Sequence, residues 1–108
     1  MTDRFKQEID NAQSARQAGN EGKARVCARR AAGLAAAEYL QHRGIALSGP
    51  SAYDHLRRLQ SLTDKPESSA PILERLLMRV NTDFALPVDI DLIEDARQLR
   101  RILKETVS

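Results

Sequence analysis

Apolar residues along the chain recur at helical spacing, in segments separated by Gly, Pro and Asn-rich breaks. The first segment, about 2–18, carries Phe5, Ile9 and Ala12 as a thin apolar stripe. Gly19 suits a helix C-terminus and Asn20 the N-cap of the next helix, so "AGNEG" reads as a tight turn between antiparallel helices. A second helix is expected over 21–43, closed by Gly44. The third opens at "GPSAYD", where Ser51 and Asp54 have capping-box spacing, and presents Ala52, Leu56, Leu59 and Leu62.

"TDKPESS" reads as a polar linker. Pro71 then fits the first turn of a fourth helix bearing Ile72, Leu73, Leu76, Leu77 and Val80. "NTDFALPVD" is expected to be a loop, because Pro87 blocks a helix through it. The last helix starts near Asp91, with Glu94 in D-x-x-E spacing, and its stripe is Leu92, Ala96, Leu99, Leu103 and Val107. Acidic residues lead this helix and basic residues follow, which complements its dipole. No strand pattern and no internal repeat occur. The expectation is an all-α, antiparallel up-and-down bundle of four to five helices, with 1–108 as one domain.

The second helix departs from a one-sided pattern. At 100° per residue, Ala24, Cys27, Ala28, Ala31, Leu34, Ala35 and Tyr39 share one face, while Val26, Gly33, Ala37 and Leu40 lie nearly opposite. A helix apolar on two sides is buried on two sides. Either the chain's own helices cover both, or the Val26, Gly33, Ala37 and Leu40 face meets a second copy in a homodimer. Arginines run between the faces: Arg25, Arg29 and Arg43 on one seam, Arg30 on the other.

Composition narrows the class. A chain of 108 residues with 42% hydrophobic and 30% charged residues supports one core, built without tryptophan and with 4% aromatics. Lys+Arg exceed Asp+Glu only by 17 to 15, so a polyanion partner depends on arginines clustering on one face. The single cysteine, Cys27, forms no intramolecular disulfide and suits a reducing cytoplasm. No zinc-ligand spacing, secretory leader or membrane-length apolar run is present, so neither a metal, nor a cofactor, nor a membrane is expected.

Catalytic candidates are few. His42 has no nucleophile or carboxylate evidently placed with it, and His55 points away from its neighbour Asp54 on a helix. Cys27 sits on an alanine-lined face, as a small buried hydrophobe does. Arg25, Arg29, Arg30 and Arg43 remain as candidates for binding nucleotide or RNA phosphate, with Arg57, Arg58, Arg97, Arg100, Arg101 and Lys104 on later helices.

The segment "GKARVCARRAAGLAAAEYL" resembles the second helix of HEPN domains (higher eukaryotes and prokaryotes nucleotide-binding). "SAYDHLRRLQSL" is similar to the short helix that follows in that family, and "DLIEDARQLRRIL" to its last helix. The resemblance implies a dimeric up-and-down helical bundle and, as partner, a minimal nucleotidyltransferase in a two-component, toxin–antitoxin-like system. It also offers a metal-independent ribonuclease activity, which in that family rests on an R-x4-6-H motif. Here the nearest arginines before His42 and His55 are Arg30 and Arg43, each twelve residues upstream. The expected function is therefore a non-catalytic interaction module, the alternative being a nucleotide- or RNA-binding protein or atypical ribonuclease that uses the arginine seam.

Overall fold

The computed structural model describes residues 3–78 and 90–107, save the side chain of Val107. Five helices form among them: α1 (Arg4–Gln17), α2 (Glu21–His42), α3 (Ala52–Gln60), α4 (Ser69–Leu77) and α5 (Leu92–Val107). The chain is all-α, as its periodicity implies. The expected loop around Pro87, with Val80 and Phe84, lies outside the described residues.

The helix ends follow from short-range chemistry. The Asp3 carboxylate accepts from the Lys6 N–H and starts α1 at Arg4 rather than at residue 2. Asn20 does the same for α2 by accepting from the Lys23 N–H, and Ser51 with Asp54 closes a reciprocal capping box on α3. Each such cap contributes on the order of 1 kcal/mol. Gly19 and Gly44 take φ of +81° and +73°, the left-handed conformation that ends a helix at least cost in glycine. Around them Gly19 N–H donates to Arg16 O and Asn20 N–H to Ala15 O, and Gly44 N–H to Gln41 O and Ile45 N–H to Leu40 O. These paired bonds satisfy carbonyls that the helix itself leaves open.

α2 is the hub. It packs against α1, α3 and α5, while α4 packs against α3 and α5. Its buried side chains are mostly methyl-sized: Ala24, Ala28, Ala31, Ala32, Ala35 and Ala36, with Cys27, Tyr39 and Leu40. Larger apolar groups come from the other helices, among them Ile9, Leu56, Leu59, Leu73, Leu76 and Leu99, and all five helices share one apolar core. Close approach is most acute at Gly33, where a Cβ would stand 2.5 Å from the Ala52 Cβ and 2.6 Å from its Cα. Only a residue without a side chain lets the start of α3 cross α2 this tightly.

Polar groups lock the frame. Asp95, 7% exposed on α5, accepts three bonds from Arg75 of α4, at 2.8–3.2 Å. Arg16 binds Glu21 at 2.8 Å and Asp91 at 3.1 Å, tying the α1–α2 turn to the start of α5. Asp91 also accepts from the Ile93 and Glu94 N–H groups and so caps α5, as its position predicts. Arg100 of α5 donates to Asp3 at 3.1 Å and lies 4.4 Å from the centre of the Phe5 ring.

Candidate functional site

Because α3 is drawn against α2 at Gly33 and Ala52, its opening turn stands beside the middle of α2. The first two turns of α1 flank the same stretch. Together they border a groove of about 500 Å³. Arg4 and Glu8 line it from α1, Val26, Arg29, Arg30 and Leu34 from α2, and Pro50 and Tyr53 from the start of α3. Among the described residues its rim holds three arginines and one glutamate, and its floor holds the apolar side chains Val26, Leu34 and Pro50.

The four candidate arginines do not converge on one site. Arg29 is half-buried and donates from Nε to Leu76 O at 2.9 Å and from Nη2 to Met78 O at 3.0 Å. It therefore caps the C-terminal end of α4 from outside, where free carbonyls carry partial negative charge. Burial pushes the Arg29 guanidinium below its ordinary pKa, and the neighbouring Arg25 adds to this, with Tyr53 opposing. Arg43 is fourteen residues further along α2, about 21 Å at 1.5 Å per residue. There it binds both carboxylate oxygens of Asp64, bonds the Tyr39 hydroxyl and lies 5.6 Å from that ring's centre. The Asp64 carboxylate, then the Tyr39 hydroxyl, raise its pKa. Arg25 is half-buried and contributes to lowering the Glu21 pKa, behind the larger effect of Arg16. Of the four, Arg30 alone is both exposed and on the groove.

Most of the later cations are likewise engaged. Arg57 lies 5.0 Å from the centre of the Tyr53 ring, Arg58 reaches Ala46 O and Ser61, Arg97 pairs with Glu94 at 3.8 Å, and Arg100 is held by Asp3 and Phe5.

The apolar face assigned to a second copy is not one continuous surface. Gly33 is filled against Ala52 and Leu40 is fully enclosed by the chain itself. Ala37 is half-buried and Val26 is 46% exposed. Of the four residues expected to meet a second copy, only Val26 and part of Ala37 therefore reach the surface of the chain, because the start of α3 crosses α2 at Gly33. Leu34, grouped with the opposite face, is half-buried and opens onto the groove beside Val26.

The nucleophile and base candidates remain apart. Cys27 is 3% exposed in the core. The His55 Nε2 lies 3.0 Å from Gly49 O, where its N–H donates and closes the loop ahead of α3. His42 borders a cavity of only about 60 Å³ with Glu38, Tyr39, Arg100, Leu103 and Lys104. Glu38 lies one turn before His42, an i, i+4 relation readable from the sequence that places a carboxylate near this histidine after all. No described serine, threonine or cysteine joins them there. Among the described residues no group of three or more His, Cys, Asp or Glu side chains could hold a metal ion, and no helix is long and apolar enough to cross a membrane.

Arg4, Glu8, Pro50 and Tyr53 are the groove residues that sequence reasoning missed. Their meeting depends on how α1 and α3 lie on α2, for which local spacing holds no signal. Comparison with protein-family models, with curated proteins and with solved structures returns no match for the chain.

Proposed function

We propose that the chain is a non-catalytic helical interaction module that works by holding a partner protein in the groove between α1, α2 and the start of α3. One observation carries this reading: Val26 stands exposed in a groove whose rim arginines Arg4 and Arg30 are committed to no described residue. A core side chain would be covered and a structural arginine would be paired, as Arg29 and Arg43 are. The resemblance to HEPN domains names a class of partner, a minimal nucleotidyltransferase in a two-component system, and a homodimeric working form.

Among the described residues no catalytic site is assembled that would favour the catalytic alternative. Acid–base chemistry needs a positioned partner within hydrogen-bond reach of the reacting group. His55 is spent on a backbone carbonyl, and the cavity of about 60 Å³ beside His42 and Glu38 is lined by no described serine, threonine or cysteine. The test is incubation of the purified chain with single-stranded RNA and with nucleoside triphosphates, alongside His42→Ala. Substrate turnover that disappears with His42→Ala would refute a non-catalytic role. Light scattering on the same sample measures the oligomeric form.

A further inference from the structure

Among the described residues Val26 is the one large apolar side chain that stands exposed. It shares the groove floor with half-buried Leu34 and with Pro50. A volume of about 500 Å³ lies within the range of clefts that take a ligand or a short peptide element.

The charge on the rim is lopsided. Among the described residues of the groove, Arg4, Arg29 and Arg30 face a single carboxylate, Glu8, which itself accepts from Asn11 Nδ2. Arg29 is fixed by its bonds to α4, but Arg4 and Arg30 are exposed and bound to no described residue. They stand on two different helices, so a ligand reached by both lies along the groove rather than on one helix.

Three occupants suit such a surface unequally. A second copy related by a two-fold axis through the groove would bring arginines of one chain against arginines of the other, with Glu8 as the one described groove carboxylate to offset them. A single-stranded RNA would use the charge but not Val26, and the Tyr53 ring that could stack a base already lies beside the Arg57 guanidinium. An acidic segment with apolar side chains on one face uses both features. Resting on the interaction-module reading, we infer that the groove receives an acidic amphipathic helix of a partner protein. Its apolar side chains cover Val26 and Leu34 while its carboxylates meet Arg4 and Arg30.

The test is selection from a displayed library of helical peptides against the immobilised full chain. The expected winners carry net negative charge with apolar residues at i, i+3 or i+4, and i+7. Binding of these peptides then weakens about tenfold or more in Val26→Glu and in the double variant Arg4→Glu/Arg30→Glu. Val26 and Arg30 are exposed, so unchanged thermal midpoints separate lost binding from lost folding. No enrichment, enrichment of neutral or basic peptides, or acidic peptides indifferent to these variants overturns the inference. So does polyuridylate binding that arginine reversal abolishes and Val26→Glu leaves intact, or a homodimer that Val26→Glu dissociates. Substrate turnover, which refutes the non-catalytic reading, is a separate measurement, so failure of that reading is distinguishable from failure of the groove assignment.

Discussion

Gly33→Ala and Gly22→Ala place the same methyl group on the same helix and are expected to move stability in opposite directions. In an open helix interior, replacing glycine by alanine gains up to about 1 kcal/mol. At Gly22 the new Cβ meets nothing closer than Asn20 Oδ1 at 3.9 Å, an ordinary contact, so a gain of about 0.5 kcal/mol is expected near the helix start. At Gly33 it would stand 2.5 Å from the Ala52 Cβ and 2.6 Å from the Ala52 Cα. Ordinary carbon–carbon contacts lie near 3.5–4.0 Å, so the start of α3 must retreat by about 1 Å. The obstacle is backbone, which sets the overpacking cost near the upper end of about 1–3 kcal/mol. Subtracting the propensity gain leaves a loss of about 1–2 kcal/mol.

With an unfolding entropy of about 2.1 cal/mol/K per residue over 108 residues, 1 kcal/mol corresponds to about 4 °C. Gly33→Ala should therefore lower the thermal midpoint by about 4–9 °C and Gly22→Ala raise it by about 2 °C. Adding Ala52→Gly to Gly33→Ala should recover only part of the loss, because the Ala52 Cα stays in the way. Urea titration and thermal melting by circular dichroism read all three variants. A rise for Gly33→Ala equal to that for Gly22→Ala would refute the tight crossing of α2 and α3, and with it the shape of the groove.

Removing the carboxylate in Asp95→Ala should cost about 2 kcal/mol in urea unfolding, since it strips three bonds from a partly buried pair; a change within error would mean the pair contributes nothing net. Arg29→Ala should destabilise by about 1–2 kcal/mol through the lost bonds to Leu76 O and Met78 O, while Arg30→Ala should leave the midpoint unmoved; equal effects would contradict the division between a framing and a free arginine. Acid should weaken the fold through Glu21 and Asp91. The Arg16 hydrogen bond lowers Glu21 against a smaller burial effect. For Asp91, burial pushes upward but is outweighed by the Glu94 N–H, Arg16 and the Ile93 N–H together. Both folded-state values thus lie below the unfolded ones, so this stabilisation is complete above about pH 4.5 and fades as the pH falls through the carboxylate range. Arg16→Gln should show a smaller loss of urea midpoint between pH 7 and pH 3 than the parent chain, and an equal loss would exclude Arg16 as the cause.

The legible parts of the structure were those decided within a few residues. Asn20, Ser51 with Asp54, and Asp91 are caps because a short side chain reaches a backbone N–H two or three positions on, and Gly19 and Gly44 stop helices by their own conformation. The two-faced pattern of α2 marked a helix packed by several others, and on its second face Gly33 and Leu40 are covered while Val26 stays exposed. What covers the second face was not legible, because Gly33 looks alike whether Ala52 or a second copy approaches it. The arginines misled for a related reason. Arg29 and Arg30 are neighbours in sequence, yet 100° of helical rotation sends one to the carbonyls of α4 and the other to solvent. The partners of Arg29 lie 47 and 49 residues away, a separation at which no local rule operates.

The alanines of α2 also bear on what ordering the chain costs. Alanine has no rotamers to lose, whereas each buried leucine or isoleucine gives up about 0.5–1 kcal/mol of side-chain freedom. Ala24, Ala28, Ala31, Ala32, Ala35 and Ala36 therefore fix the hub almost free of side-chain entropy loss. Apart from Tyr39 and Leu40 of α2 itself, that loss falls on side chains such as Leu56, Leu59, Leu73, Leu76 and Leu99, which belong to the helices packed around it. Position at the centre is set by hard contact between backbones and methyl groups, and choice among rotamers is left to the periphery.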